Sequence, residues 1–461
     1  MARVVRGARR GTTDPLQLSR PLGAALAFLG LDRCLPLMHG SQGCAAFAKA
    51  LLTRHFREPI PLQTTAVTEL TAVLGSGGHL VSALDTVRRA SAPDVVGVIT
   101  TGVSEASGED VDATVRDYLR ERGTGPGSPL VVLVHAPDFA GGLSDGWSGA
   151  LAAIVGAGLA LDAAPPPGPV LPVLAGVTLT AAGLDEISAV VSGFGLQPLL
   201  VPDLSRSLDG HLDAAWSPLT TGGTTRAGLA ALRHAPAGLA LGSTAAAGAA
   251  ALAGGGVPVA RFDHLAGLDA VDAVVEHLRA LTSRPVPERV LRDRARLADG
   301  MIDTHVVLGG ARVAIAAEAE LLVAVSHLLA GAGATVVAAV APTDEPVLRS
   351  AACAEVVIGD HGDLRERAAE AGAEVVVASS HGVATAVATG AAHVPVGLPV
   401  DHRFGAALGG VTGYRGGLRF LFDLANEVLS HRAATHAAVH RPADGAGTPL
   451  PVHAPARRLP C

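Results

Sequence analysis

Two short apolar runs constrain the fold of this chain most tightly. Val95-Val-Gly-Val-Ile99 and Leu130-Val-Val-Leu-Val134 are continuous, rich in β-branched residues and flanked by turn formers. They are too short for buried helices and lack the alternation of a half-exposed strand, so they read as strands buried on both faces. Between them, Asp110 to Arg122 reads as a helix whose solvated face carries Asp112, Arg116 and Arg120 at four-residue spacing. Strand, helix and strand in that order imply a parallel sheet with helices on both sides. With 461 residues the chain is too long for one core and divides into about three such units.

The same alternation recurs along the chain. Residues 1–20 are polar and basic and read as an N-terminal arm, and 21–165 form a first α/β domain. The proline run in Ala163-Ala-Pro-Pro-Pro-Gly-Pro169 continues neither a helix nor a central strand and marks a linker. A second domain, 166–286, has expected strands at Val170–Val177, Pro198–Pro202, Gly238–Leu241 and Val257–Phe262. A third, 287–431, opens on a long helix from Pro287 to Leu308. Its expected strands are Ala311–Ala316, Thr335–Ala341, Glu355–Ile358 and Glu374–Ala378, and Arg419–Leu429 is its C-terminal helix. Residues 432–461 have no periodicity and read as a disordered tail.

Composition excludes several function classes. Lys and Arg number 35 against 42 Asp and Glu, and aromatic residues are 3% of the chain, so neither a basic footprint nor a stacking platform for nucleic acid is present. Leu321 to Pro342 is long enough to span a bilayer, but Gly331-Ala-Gly333 divides it into a helix, a turn and a strand. The arginines near the N-terminus precede no apolar core and no small-residue cleavage site, so a cytoplasmic protein is expected. There is no phosphate-binding G-x-x-x-x-G-K-[ST] loop, no G-x-S-x-G elbow and no H-E-x-x-H pair. Glu105, Glu109 and Asp110 read as caps for the helix that follows them.

The remaining candidate for chemistry is His39-Gly-Ser-Gln-Gly-Cys44, which follows an apolar stretch from Ala24 to Leu31 and leads into a helical run through Ala45, Phe47 and Leu51. Its glycines permit unusual backbone angles and close approach of another group. Taken alone it reads in two ways: a turn before a buried free cysteine, or a loop that presents a thiol to something bulky. Cys34, Cys44, Cys353 and Cys461 are scattered with no C-x-x-C pair, which gives neither a disulfide framework nor a self-contained zinc site. An iron–sulfur cluster normally takes four thiolates, so one well-placed cysteine holds such a cluster only with a partner chain.

Several runs together carry a family resemblance. His39-Gly-Ser-Gln-Gly-Cys44, Arg54-His-Phe-Arg-Glu-Pro59, Thr100-Thr-Gly-Val-Ser-Glu105 and His135-Ala-Pro-Asp-Phe139 resemble the first domain of the nitrogenase molybdenum–iron protein family, in the order and spacing of its β-type subunits. Val201-Pro-Asp-Leu-Ser-Arg-Ser-Leu-Asp-Gly210, Met301-Ile-Asp-Thr-His305 and Gly413-Tyr-Arg-Gly416 resemble that family's cofactor-assembly branch, and the resemblance covers residues from about 14 to 430. It implies three Rossmann-like doubly wound α/β domains in series. It also implies a scaffold subunit, more an assembly platform than an enzyme, that matures the iron–molybdenum cofactor together with NifE.

The implied partners are NifE in an α2β2 heterotetramer, the nitrogenase iron protein as a transient visitor, and precursor donor and cofactor carrier proteins. The implied cofactors are an inter-subunit [4Fe–4S] cluster, with Cys44 as this chain's ligand and His39, Gly40, Ser41, Gln42 and Gly43 around it, and a cofactor precursor held mainly on NifE. Three cysteines of the catalytic β subunits contribute to an eight-iron cluster; here one falls on Cys44 and the others near Leu62 and on Gly102. A β-type subunit of a catalytic nitrogenase-like reductase, of dinitrogen or of a tetrapyrrole, is the rival reading. The missing thiolates argue against the first and the runs beyond residue 200 against the second. In a third reading, a metal-free α/β binding protein, Cys44 is incidental.

Overall fold

The structure, a computed structural model, describes residues 1–7, 14–125, 127–212 and 215–439. The chain opens with β1 (Arg3–Arg6). The first α/β unit follows as α1 (Arg20–Leu29), β2 (Cys34–His39), α2 (Gln42–Phe56), β3 (Gln63–Thr64), α3 (Glu69–Leu74), α4 (Gly77–Ser91), β4 (Val95–Thr100), α5 (Gly102–Ala106), α6 (Val111–Arg122), β5 (Leu130–Val134) and α7 (Leu143–Leu159). Its strands are all parallel, in the order β3-β2-β4-β5. The winding reverses between β2 and β4, which makes their carboxyl ends a topological switch point.

The second unit comprises β6 (Val170–Ala175), α8 (Ala181–Gly193), β7 (Gln197–Val201), α9 (Arg226–Ala231), β8 (Gly238–Leu241), α10 (Ala246–Gly254), β9 (Val259–Phe262) and α11 (Leu268–Thr282). It repeats the same order, β7-β6-β8-β9, with its switch between β6 and β8. The third contains α12 (Glu288–Leu308), β10 (Arg312–Ala316), α13 (Ala319–Gly331), β11 (Thr335–Ala341), β12 (Glu355–Ile358), α14 (His361–Glu370), β13 (Val375–Ala378), α15 (Val383–Thr389), β14 (Ala392–Pro395) and α16 (Gly413–Val439). Its parallel sheet runs β1-β12-β11-β10-β13-β14, with the switch between β10 and β13. The fold is therefore three doubly wound α/β units, as expected.

Of three buried apolar clusters, the main one runs through all three units, so the units share a core where the chain length suggested separate ones. Within it α1 and α7 cross with their backbones nearly touching. A Cβ at Gly23 would strike the Leu143 carbonyl, and one at Gly146 would strike the Arg20 carbonyl, so only glycine permits this approach. Trp147, on α7, is fully buried and donates its indole N–H to the Ala175 carbonyl at 2.8 Å, pinning the first unit to the second. Glu320, fully buried in α13, accepts the Thr244 amide (2.9 Å), the Thr244 hydroxyl (2.7 Å) and the Thr178 hydroxyl, pinning the second unit to the third.

Two expectations need correction. Residues 3–6 are not a free arm: they form β1, which pairs in parallel with β12 from Arg3 opposite Glu355 to Arg6 opposite Ile358. The C-terminal helix does not stop at Leu429 but runs on through α16 to Val439, because Ala425 and Val428 stay buried and the polar turns beyond carry no helix breaker. Of the tail expected to be disordered, residues 440–461 lie outside the described residues. The stretch Leu321–Pro342 folds as the helix, turn and strand expected of it, and among the described residues no helix is long and apolar enough to cross a membrane.

Candidate metal centre

The loop after β2 sits at the switch point of the first sheet, where ligands of open α/β sheets collect. Gly40 packs so closely on the next loop that a Cβ there would collide with the Thr101 hydroxyl. The loop is further tied down by the Thr101 and Ser104 hydroxyls, which donate to the His39 carbonyl at 3.1 and 2.9 Å. The Val67 amide donates to the Gly40 carbonyl at 2.9 Å. Ser41 occupies the N-cap position of α2 with extended backbone, yet its hydroxyl caps no amide and lies 3.4 Å from the Cys44 sulfur. The first-turn N–H groups of α2 therefore have no side-chain cap and are available to negative charge near the thiol.

His39 is buried and acts as a structural anchor. Its Nδ1 lies 3.0 Å from the Thr65 hydroxyl and its Nε2 3.2 Å from the Ser76 hydroxyl, which in turn donates to Glu109. Burial holds the imidazole below its usual pKa, partly opposed by Glu109, so the ring is neutral at pH 7. The nearby carboxylates thus have roles other than the capping expected of them. Only Asp110 caps α6, accepting the Ala113 amide at 2.8 Å. Glu105 accepts the Thr100 hydroxyl and lies 2.7 Å from His135 Nδ1, while Asp112 lies 2.9 Å from the other ring nitrogen. Burial works against the His135 charge, but the two carboxylates outweigh it and raise its pKa.

Cys44, in the first turn of α2, is half-buried, whereas Cys34 lies fully buried in β2 with its thiol pushed far up by burial. Cys353 is half-buried, bonds the Glu355 carbonyl, and is pushed up to about 11, chiefly by burial. Cys461 lies outside the described residues. Leu62 is buried in the core, and Gly102 opens α5 with Asp138 3.7 Å from where its Cβ would lie, so neither position supplies a sulfur. Among the described residues no group of three or more His, Cys, Asp or Glu is arranged to hold a metal ion.

The edge that carries Cys44 also bears exposed apolar side chains. Phe47 (65% exposed) is one turn along α2, Leu70, Val73 and Leu74 stand out from α3, Val103 from α5, and Phe139 (73%) from the loop after β5. All follow the carboxyl ends of the same sheet, and no side chain of this chain comes within 4 Å of where a Cβ on Gly43 would lie. Exposed apolar groups gathered on one edge mark an interaction surface.

The family model for nitrogenase component 1 type oxidoreductases matches residues 19–429. The chain belongs to this family. Among curated relatives, the nitrogenase iron-molybdenum cofactor biosynthesis protein NifN of Rippkaea orientalis is 39% identical over 92% of this chain and 95% of its own length. The protein of the same name from Rhodobacter capsulatus is 39% identical over 98% and 97%, and that from Klebsiella pneumoniae 34% identical over 92% and 93%. Among solved structures, a chain of nitrogenase Cp1 at pH 6.5 superposes with a TM-score of 0.86 at 26% identity, covering 92% of this chain and 95% of that one. The three-unit nitrogenase component 1 fold and the alignment of this chain with NifN proteins are thus both established, and the family context is one of metal-cluster binding.

Sequence reasoning found the loop but missed its supports. Thr65, Ser76 and Glu109 are polar residues without a motif, brought under His39 only by the fold. His381, at the end of β13, is exposed and stands apart from this edge.

Proposed function

We propose that this chain is the β-like half of a scaffold on which the nitrogenase iron–molybdenum cofactor is assembled and matured, with a NifE-type chain as the other half. In this reading Cys44 supplies one ligand to a [4Fe–4S] cluster shared across the subunit boundary, and His39, Gly40, Ser41, Gln42 and Gly43 hold the loop that presents it. One observation carries the reading: a single partly exposed thiol sits at an uncapped helix start, on a sheet edge that bears exposed apolar side chains and offers no second sulfur. A lone thiolate is one corner of a cluster, and the other three corners must come from elsewhere. The uncapped amides of α2 favour the negative charge that a cluster and its thiolates carry.

The cofactor precursor is assigned mainly to the partner. The large cavity between the three units of this chain is lined by no cysteine. Its one histidine, His55, already uses Nδ1 to accept the Val400 amide at 2.9 Å. A metal cluster finds little purchase there.

Two copies of the pair form the proposed α2β2 assembly. The exposed face of α12 carries Leu291, Ile302 and Val306 and fits a second copy of the chain. The nitrogenase iron protein, precursor donors and cofactor carriers are transient partners, and the compartment is the cytoplasm. The catalytic-reductase alternative is not favoured, since Leu62 and Gly102 leave an eight-iron cluster short of two thiolates.

The test is anaerobic co-expression with a NifE chain, followed by iron counting and electron paramagnetic resonance on the wild type and on Cys44→Ala. The expected outcome is a co-purified pair whose cluster signal changes or is lost in Cys44→Ala while the pair persists. Unchanged iron content and spectrum in the variant would remove Cys44 from the ligand set.

A further inference from the structure

A cavity of about 440 Å³ lies where the three units meet, within the size range of small-molecule sites. Its walls include Val177 to Thr180, just after β6, and Glu318, just after β10. Those are the switch points of the second and third sheets, so two crevices of the kind that bind ligands open into one space. The interior is largely apolar, from Leu26, Leu143, Leu179, Leu204, Leu321 and Phe420.

The polar groups that line it include donors on His55, Arg403 and Arg419 and the acceptors Asp423 and Glu427, which pair with the two arginines. Because His55 Nδ1 accepts the Val400 amide, its ring proton is on Nε2. Arg419, 65% exposed at the rim, makes one long bond to the Leu408 carbonyl (3.5 Å) and stands 3.8 Å from Asp423, leaving most of its five N–H groups uncommitted. Arg403, 45% exposed, pairs with Glu427 through one nitrogen at 2.8 Å. The Glu318 carboxyl is held protonated at neutral pH, its pKa pushed up to about 8 by burial and by Glu345, and so adds an O–H donor.

We infer that this cavity binds a small organic anion with an apolar body, its acidic group held at the rim by Arg403 and Arg419 and its body against the leucines inside. Arginine recognises carboxylates and sulfonates through paired N–H groups, and the apolar walls select for a hydrocarbon stem. The inference is independent of the cluster reading.

The test uses the full chain, purified together with whatever partner chain it carries, and three probes of equal length: hexanoate, hexan-1-ol and hexylamine. Calorimetric titration at pH 7 is expected to show saturable binding of hexanoate, about tenfold or more tighter than of the alcohol or the amine, where tenfold corresponds to about 1.4 kcal/mol. Arg403→Gln and Arg419→Gln change exposed side chains and leave the fold intact by circular dichroism; each is expected to weaken hexanoate about tenfold. Leu321→Trp, which fills the space, is expected to abolish binding. Equal affinity for all three probes, preference for hexylamine through an ionised Glu318, hexanoate binding that survives both arginine changes, or no saturable hexanoate heat each overturns the assignment.

Discussion

The carboxyl edge of the first sheet and the cavity between the units are both built at switch points of the same kind of sheet, and they are finished in opposite ways. At the edge, β2 ends in a pinned loop whose half-buried thiol meets only the Ser41 hydroxyl, whose helix amides carry no side-chain cap, and whose sheet edge bears exposed apolar side chains. In the cavity, the loops after β6 and β10 face each other, and their polar groups meet within the chain: Thr178 and Thr244 bond Glu320, and Thr180 bonds the Gly409 carbonyl at 2.6 Å. In the proposed reading the edge is completed by another chain. The cavity is complete in this one, and its lack of thiols matches the edge's possession of a single one.

The sharpest way to break that contrast is thiol reactivity. In the isolated chain Cys44 is expected to alkylate with iodoacetamide roughly a thousandfold faster than Cys34, whose buried, neutral thiol reacts only through opening of β2. Mass spectrometry of the labelled peptides measures it. In the complex with the partner, Cys44 should become protected while Cys34 is unchanged. Equal labelling of the two in the isolated chain would mean that the edge is not open.

The cavity side is tested by pH. Glu318 and Glu345 have pKa values raised above their ordinary 4.5, to about 8 and about 6, in both cases first by burial. The folded chain therefore binds these protons more tightly than the unfolded chain. The stability they contribute is fully present below about pH 4.5 and is lost as pH rises through 6 and then 8. Glu318→Gln removes the larger part of this dependence and is expected to gain about 4 kcal/mol on the wild type between pH 5 and pH 8.5, read from urea midpoints. A wild type whose stability rises over that interval would show that Glu318 and Glu345 are not held protonated.

A third effect returns to the edge. Gly40→Ala places a methyl group against Thr101 and is expected to cost about 2 kcal/mol by thermal unfolding, while Gly43→Ala, beside open space, costs under about 0.5 kcal/mol beyond helix propensity. If the two changes cost the same, the loop is not pinned at one end and open at the other.

These contrasts were legible in the sequence to different depths. β5 matches its apolar run residue for residue and β4 extends its own by Thr100 alone, because buried strands of a parallel sheet leave uninterrupted stretches rich in β-branched residues. β1 was missed because Arg3–Arg6 is short and flanked by charge, and its partner β12 lies some 350 residues away; nothing local announces such a pairing. β14 was missed because Ala392–Pro395 offers a single β-branched residue and ends in proline. The loop bearing Cys44 was visible through its glycines and through the family resemblance. The cavity was not, since His55, Glu318 and Arg403 come from three separate stretches and acquire a common meaning only when the sheets are stacked.

The smallest predicted effect bears on whether the two regions are coupled. Helix α2 joins them, with Cys44 in its first turn and His55 in its last, where Val400 and the Arg57 contacts to the Asp401 carbonyl and the Phe404 ring (5.1 Å to the centroid) tie it to the cavity rim. Phe404 is 88% exposed, so Phe404→Ala removes little more than the cation–π contact and is expected to cost about 0.5–1 kcal/mol in urea unfolding. Leu51 and Leu52 anchor the middle of the helix in the core and should absorb the change before it reaches the first turn. The Cys44 alkylation rate is therefore expected to stay within about twofold of wild type. A larger change would mean that α2 transmits strain as a rigid rod, and that whatever fills the cavity also adjusts the thiol.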